Sequence, residues 1–216
     1  DRTAQPAYRL YNSPGTAGMA PHIVLRELSI PHEIVFLDRE AGAHKTPEYL
    51  ALNPLGRLPT LVDGDLVIFE AAAICLHLAD RHPAAGLAPP VGHPDRARLY
   101  QWLMFLTNTV QADLMVWFYP ERVADEAHFT DARIRLEERL AAMFAPLDHA
   151  LDGREWLVGD RFTIADAYLF MLARWSRNLP RKARDLPHLG PWLARVAERP
   201  AVAGMFRIEG LSAPFY

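Results

Sequence analysis

The segment Asn53–Glu70, with the sequence NPLGRLPTLVDGDLVIFE, decides how the rest of the chain is interpreted. Its NPLG start predicts a turn. The dipeptide Asp63-Gly64 between two short apolar runs predicts a β-hairpin. Pro59 has no N–H for a ladder hydrogen bond, so it belongs at the start of a strand. From these residues alone the Leu58–Pro59 bond is expected to be trans, because cis is the minority form even before proline.

Strand-like and helix-like segments alternate around this hairpin. Together they predict the order β-α-β-α-β-β-α, an α/β unit closed by an antiparallel hairpin. Besides the two hairpin strands, the predicted elements are a strand at Ala7–Tyr11, a helix at Ala17–Leu28, a strand at Glu33–Leu37, a helix at Pro47–Leu52 and a helix at Glu70–Arg81.

A stretch rich in proline, His82–Pro94, follows this unit and reads as a linker. Beyond it, apolar residues at helical spacing predict only helices, the main ones passing through residues 99–117, 136–151 and 164–175. We therefore predict an α/β domain at residues 7–84, a linker at 85–94 and an all-helical domain at 95–216.

Composition excludes several classes of protein. The net charge of −3 comes with scattered lysines and arginines, so no nucleic-acid partner is expected. No apolar run approaches the roughly 20 residues that cross a bilayer, and no membrane partner is expected. The single cysteine, Cys75, excludes an internal disulfide and lies on the apolar stripe of its helix, where we expect it to be inert. The histidines lack metal-ligand spacing, so no metal is expected, and we expect a cytoplasmic protein.

Four motifs occur in a recognisable order: SPGTAGMAPHIVLREL, NPLGRLPTL, FEAAAICLHLAD and LVGDRFTIADAYLFMLARW. In combination they resemble the glutathione transferases, and most closely the bacterial beta class, from about residue 7 to residue 210. The resemblance implies a thioredoxin-like first domain, an all-helical second domain, a cis Leu58–Pro59 bond and a homodimer. It also implies glutathione as the co-substrate.

The resemblance assigns glutathione-binding roles to residues of the opening segment. The Leu58 main chain before Pro59 would pair with the cysteinyl part of the tripeptide. Glu70 would bind the γ-glutamyl amine, and the free N–H of Ala71 would bind its carboxylate. Ala71 stands where the family usually has serine, so one hydroxyl contact is missing. The alternative for Glu70 is an ordinary acid at a helix start, favoured by the helix dipole.

A cation is expected to bind the glycyl carboxylate of glutathione. His44 and Lys45 lie in the loop where the class often has a basic contact. The alternative is that both are solvated loop charges, which contribute little energy.

The loop that would activate the thiol departs from the class pattern. Its cysteine and serine are replaced by Ala17 and Gly18, so a mixed disulfide with glutathione cannot form there. The remaining candidate donors are, in order of preference, Thr16, Ser13 and Asn12, with Tyr11 also near. The alternatives are an ordinary helix cap for Thr16 and ordinary turn chemistry for Asn12 and Ser13.

The second domain also lacks class side chains, because the usual histidine-lysine pair is replaced by Gln111 and Ala112. Gln111, Asp113 and Trp117 are assigned to the co-substrate pocket by the resemblance, with core packing as the alternative for Trp117. Separately, Thr163 and Asp166 predict a capping box with a role in folding.

The leading hypothesis is a transferase, acting in detoxification, that conjugates glutathione thiolate to small apolar electrophiles. A second hypothesis is a glutathione-binding or ligand-carrier protein with weak or no catalysis, suggested by the missing loop and helix side chains. A third is an interaction protein that has lost glutathione binding, against which Glu70 argues.

Overall fold

A computed structural model describes residues 8–216 of the chain. Ala7, the first residue of the first predicted strand and domain, lies outside the described residues. The chain divides into two compact units, the first formed by residues up to Leu87 together with Arg199–Ser212, and the second by Ala88–Glu198 together with Ala213–Tyr216.

The first unit contains a four-stranded sheet and helices. Its elements are β1 (Tyr8–Asn12), α1 (Met19–Leu28), β2 (His32–Phe36), α2 (Pro47–Leu52), β3 (Thr60–Asp63), β4 (Leu66–Phe69), α3 (Ala71–Arg81) and α9 (Pro200–Ile208). Leu10, Ile23, Leu61, Ile74 and Leu78 are fully buried in its core. This burial explains the helical and strand periodicities of the sequence, because each element turns its apolar face to the same core.

The strand order in the sheet is β2-β1-β3-β4. β1 runs parallel to β2 and antiparallel to β3, and β3 runs antiparallel to β4. The hairpin closes on the pair Asp63 and Leu66, so its two loop residues are Gly64 and Asp65, one position later than the predicted Asp63-Gly64 turn. Gly64 has φ +59°, which suits the first loop position of a tight hairpin turn.

The second unit is helical. Its elements are α4 (Pro94–Phe105), α5 (Ala112–Phe118), α6 (Phe129–Ala150), α7 (Ile164–Trp175) and α8 (Leu189–Ala197). A π-helical turn, Leu106–Gln111, joins α4 to α5, so the predicted single long helix is interrupted. Every residue of α7 is buried, which makes this helix the centre of the unit.

The predicted capping box at the start of α7 is present. The Asp166 carboxylate accepts a hydrogen bond from the Thr163 N–H at 2.9 Å, and the Thr163 hydroxyl accepts from the Ala165 N–H at 3.3 Å. Asp166 also accepts from the Leu157 N–H at 3.0 Å, which ties the preceding loop to the helix. A buried helix start with four orphan N–H groups requires such partners.

The predicted fold class, an α/β unit of order βαβαββα followed by an all-helical unit, is confirmed. The main difference concerns the last helix. α9 packs against α1 in the first unit, whereas the sequence placed it in a domain at 95–216. Arg199, just before α9, holds the Glu27 carboxylate through two hydrogen bonds of 2.7 and 3.0 Å. Such long-range pairing has no local sequence signal.

Candidate functional site

The strand register brings three distant stretches of the first unit to one end of the sheet. Thr60, at the start of β3, pairs with Tyr11 near the end of β1 and with Phe69 at the end of β4. The residues that follow Tyr11, precede Thr60 and follow Phe69 therefore emerge side by side. These are the β1–α1 loop, the Leu58–Pro59 segment and Glu70, which are three of the regions singled out in the sequence.

The Leu58–Pro59 peptide bond is cis, in agreement with the resemblance and not with the trans bond expected from the residues alone. Two buried side chains hold the preceding turn. Asn53 donates to the Arg57 carbonyl at 2.9 Å and to the Thr60 hydroxyl at 3.2 Å, and Tyr49 donates to the same carbonyl at 2.6 Å. Within residues 8–216, no hydrogen bond engages the main chain of Leu58. The turn therefore presents an unpaired backbone group on a fixed support.

Glu70 adopts an unusual backbone conformation at the head of α3, with φ 73° and ψ 112°. A positive φ is uncommon for a residue with a β-carbon and often accompanies a functional position. Its side chain is exposed, and in the described part of the chain the carboxylate has no hydrogen-bond or ion-pair partner. The first N–H groups of α3, on Ala71 and Ala72, likewise have no intrahelical acceptor. An acid and free donors are thus side by side.

The β1–α1 loop is held from the far end of the sequence by Glu209, at the C-terminal end of α9. This carboxylate is buried and accepts from Asn12 Nδ2 at 3.0 Å and from the Gly15 N–H at 2.8 Å. One of its oxygens also lies 2.7 Å from Nδ1 of His22, a fully buried residue of α1. Glu209 therefore fixes both the loop and the helix that follows it.

Asn12 is fully buried, and its position explains the glycine at position 18. A β-carbon built on Gly18 would lie 2.0 Å from Asn12 Oδ1. No side chain fits there while Asn12 occupies the space. Asn12 and the glycine at position 18 are thus sterically linked.

Thr16 is bound within its own loop. Its hydroxyl lies 3.0 Å from Asn12 Oδ1 and 2.8 Å from the Ser13 carbonyl oxygen. Gly18, not Thr16, is the N-cap residue of α1, and no side chain caps this helix start. The hydroxyl therefore braces the loop and does not cap the helix.

Ser13 differs from its neighbours, because no group among residues 8–216 lies within hydrogen-bond distance of its hydroxyl. It is 9% exposed and lines an open depression of about 690 Å³. The other residues lining it are Pro14, Thr16, Phe36, Leu37, Asp38, Arg39 and Glu40. Tyr11 lies on the opposite face of β1 from Asn12, with its ring centroid 5.8 Å from that of Tyr49.

His44 and Lys45 form a short 3₁₀ turn beside the opening segment. Lys45 Nζ donates to the Leu55 carbonyl at 3.4 Å. Burial, and then the positive charges of Lys45 and Arg39, lower the pKa of His44, so this imidazole is neutral at pH 7. Lys45 is consequently the cation of the pair at neutral pH.

The three predicted pocket residues of the helical unit each contact a neighbouring helix. The Tyr168 hydroxyl donates to Gln111 Oε1, and Trp117 Nε1 donates to Glu137 Oε1 at 2.9 Å. Asp113 pairs with Arg139, whose Nε lies 2.8 Å from Oδ2. Burial raises the pKa of Asp113, and the guanidinium opposes that shift. These contacts join helices; a part in a co-substrate pocket stays a prediction.

Cysteine and metal chemistry are two further possibilities for a protein of this composition. Cys75 is buried and its pKa is raised by burial, which disfavours the reactive thiolate. Within residues 8–216, no group of three or more His, Cys, Asp or Glu side chains is placed to hold a metal ion. The helices in that range are all too short or too polar to span a bilayer.

Sequence reasoning missed Tyr49, His22 and Glu209. Tyr49 lies in the predicted helix Pro47–Leu52, eight residues before the Arg57 carbonyl that it binds, and nothing in its local pattern marks a polar role. Glu209 lies 197 residues from Asn12, in a segment read only as a short helix.

Comparison with known proteins identifies the family. The family model for the glutathione S-transferase N-terminal domain matches residues 6–80, and that for the C-terminal domain matches residues 117–200. A glutathione S-transferase, GST-4.5, of Xanthomonas campestris is 34% identical over 213 residues, covering 94% of this chain and 100% of the relative. The chain belongs to the glutathione S-transferase family.

Solved structures agree with this assignment. A sphingomonad glutathione S-transferase in complex with glutathione superposes with a TM-score of 0.84 at 33% identity, covering 94% of this chain and 100% of the other. The beta-class enzyme of Sphingomonas chungbukensis gives 0.84 at 31% identity with the same coverage. The resemblance to the beta class predicted from the sequence motifs is thereby confirmed.

Proposed function

We propose that this protein is a glutathione transferase that binds the tripeptide at the end of the sheet formed by Leu58, Pro59, Glu70 and Ala71. Membership of the family supports the proposal, as does the solved relative that contains glutathione. The observation that carries it is the Glu70 carboxylate, which has no partner in the described part of the chain and is held at positive φ beside the first N–H groups of α3.

The γ-glutamyl end of glutathione carries an ammonium and a carboxylate on one carbon. Glu70 supplies an anion for the ammonium, and the N–H groups of Ala71 and Ala72 supply donors for the carboxylate, aided by the α3 dipole. The missing serine hydroxyl at position 71 leaves this carboxylate to backbone donors alone. Such a combined site recognises the zwitterion and not either charge separately.

The rest of the tripeptide follows the sheet edge. The unpaired Leu58 main chain would bind the cysteinyl backbone in the manner of an added strand. Lys45, with His44 beside it, would bind the glycyl carboxylate from the 3₁₀ turn next to Leu55. This arrangement directs the thiol towards the β1–α1 loop, which follows the strand paired with Thr60.

The reaction proposed is addition or displacement at a small apolar electrophile. The glutathione thiol gives its proton to solvent, and the sulfur forms a bond to carbon. In a displacement, the bond from that carbon to halide or aryloxide breaks, and the leaving group takes the electron pair. In an addition, the π bond at that carbon breaks, its electron pair moves to the neighbouring atom, and a proton from solvent completes the product. The protein's contribution is to favour thiolate over thiol at neutral pH and to fix its direction.

The test is glutathione titration by calorimetry, followed by turnover of an aryl halide. Glu70→Ala removes a charged hydrogen-bond partner and should weaken glutathione binding by roughly 10- to 100-fold. Glu48→Gln, at an exposed acid in the first turn of α2, is the matched control and should bind normally. If the wild-type protein binds no glutathione at millimolar concentration, the proposed function is rejected.

A second candidate function, a glutathione-binding carrier with weak catalysis, is favoured by one observation. Asn12 and Thr16, two of the predicted donors of the loop, are engaged with the protein itself. Tight glutathione binding without turnover of any electrophile in a panel would support the carrier over the enzyme. We also propose a homodimer, which light scattering would test; a monomer would contradict it.

A further inference from the structure

We propose that Ser13, and not Thr16, donates the hydrogen bond that stabilises the glutathione sulfur as a thiolate. The inference deepens the proposed function and rests on it. Thr16 is the donor favoured by sequence position, because it is adjacent to the place of the missing cysteine. The directions in which the hydroxyl and amide hydrogens of the loop are donated favour Ser13 instead.

The first step concerns the Asn12 side-chain amide. Its Nδ2 lies 3.0 Å from the Glu209 carboxylate. A carboxylate oxygen accepts at this position, so the amide must present its NH₂ group to Glu209. The amide oxygen of Asn12 therefore points the other way, towards Thr16. Burial of both side chains keeps this orientation fixed.

The second step concerns the single hydrogen of the Thr16 hydroxyl. The two atoms within hydrogen-bond distance of it, Asn12 Oδ1 and the Ser13 carbonyl oxygen, are both acceptors without a hydrogen to give. The Thr16 hydrogen is therefore donated inward. Towards the depression, Thr16 offers only lone pairs, which stabilise a thiol S–H and repel a thiolate.

The third step concerns Ser13. Its hydroxyl has no hydrogen-bond partner within residues 8–216. The residue is 9% exposed and lines the same depression as Thr16. The hydroxyl oxygen itself is accessible from the depression, so it is free to donate to an acceptor on a ligand there. Ser13 follows β1 directly, so its main chain is fixed by the sheet and by the Thr16 N–H, which donates to the Ser13 carbonyl at 3.2 Å.

Charged side chains of both signs, Asp38, Arg39 and Glu40, line the same depression as Ser13, and the positive partial charge nearest to it in the sequence comes from the start of α1. The N–H groups of Ala17 and Gly18 precede the ten-residue helix α1 and have no acceptor in the described chain. They place partial positive charge beside the loop. Ser13 adds the hydroxyl donor that the class obtains from other side chains at positions 17 and 18.

The experiment measures the thiol pKa of bound glutathione from the ultraviolet absorbance of the thiolate as a function of pH. Ser13→Ala should raise this pKa by about one to two units, the loss expected for one hydrogen bond to a charged group. Ser13→Thr retains a hydroxyl and should restore most of the wild-type value. Thr16→Val, which keeps the shape but removes the hydroxyl, should leave the pKa unchanged or slightly lower.

Calorimetric titration and circular dichroism of each variant separate this inference from the proposed function. If the wild-type protein does not bind glutathione, the proposed function itself fails. If it binds, and Thr16→Val raises the thiol pKa while Ser13→Ala does not, Thr16 is the donor and the present inference is overturned. An unchanged thiol pKa in both Ser13→Ala and Thr16→Val would also overturn it. The thiolate would then be stabilised by the Ala17 and Gly18 N–H groups alone.

Discussion

The Asn53–Glu70 segment and the β1–α1 loop lie at the same end of the sheet. They differ in whether their polar groups are hydrogen-bonded within the protein. In the first, two groups have no partner among the residues that the structure describes: the Leu58 main chain and the Glu70 carboxylate. In the second, Asn12 and Thr16 are hydrogen-bonded within the protein, and of the two loop hydroxyls the one on Ser13 has no partner within residues 8–216. The polar groups of the Asn53–Glu70 segment are available to a ligand, whereas most of those in the β1–α1 loop hold the loop in place.

This difference separates binding from activation. The proposed glutathione recognition needs unpaired groups on a fixed support, and the turn is held by Tyr49 and Asn53. Thiol activation needs only one well-placed donor beside helix N–H groups, provided the loop does not move. Glu209 supplies that rigidity from another part of the chain, so the loop can lose class side chains without losing its shape.

The largest expected effect is at Glu209. Glu209→Ala removes the acceptor for the Asn12 amide and the Gly15 N–H and leaves His22 without its partner. Buried donors without acceptors should reduce the free energy of unfolding by about 3–5 kcal/mol. Denaturant titration measures this. Glu198→Ala, at an exposed glutamate, is the control, and an equal effect of the two substitutions would show that the loop is not held as described.

An intermediate effect is expected from the steric pair Asn12 and Gly18. Gly18→Ala should lower the free energy of unfolding by about 1–3 kcal/mol, because the new β-carbon would overlap Asn12 Oδ1. The backbone itself would accept alanine, since φ at Gly18 is −69°. In the double variant with Asn12→Ala the cost of the added methyl should largely disappear, giving a coupling energy of about 0.5–3 kcal/mol. Strictly additive effects would contradict the steric link.

The smallest effect concerns His44 and pH. Burial and nearby cations lower the pKa of His44, so the imidazole is neutral above pH 6.5 and gains its charge only as the pH falls further. A bound glycyl carboxylate favours the charged form, so glutathione affinity should rise on acidification by a factor of about 2–5, the value of an exposed pair. Calorimetry at several pH values measures this change. His44→Gln should remove this rise in affinity at low pH, whereas Lys45→Gln should weaken binding across the whole pH range. If the rise persists in His44→Gln, a group other than His44 causes it.

Much of the architecture could be predicted from local patterns. The Asp63-Gly64 signal located the hairpin to within one residue, and Pro47–Leu52 was predicted with the observed bounds. The capping box at Thr163 was also readable, because its partners are three residues apart. The π-helical turn at Leu106–Gln111 was missed, because an extra residue in one turn leaves the apolar spacing almost unchanged.

The sequence by itself determined the family, the order of the elements and the residue types at the edge proposed to bind glutathione. These follow from periodicity, turn chemistry and short motifs, which act between neighbouring residues. The tertiary structure alone decided which polar groups remain unpaired. Donor and acceptor assignments at Asn12 and Thr16 depend on Glu209, which lies 197 residues from Asn12 in the sequence. A hydroxyl with one hydrogen can serve only one acceptor well, and the packed fold determines which acceptor is nearest.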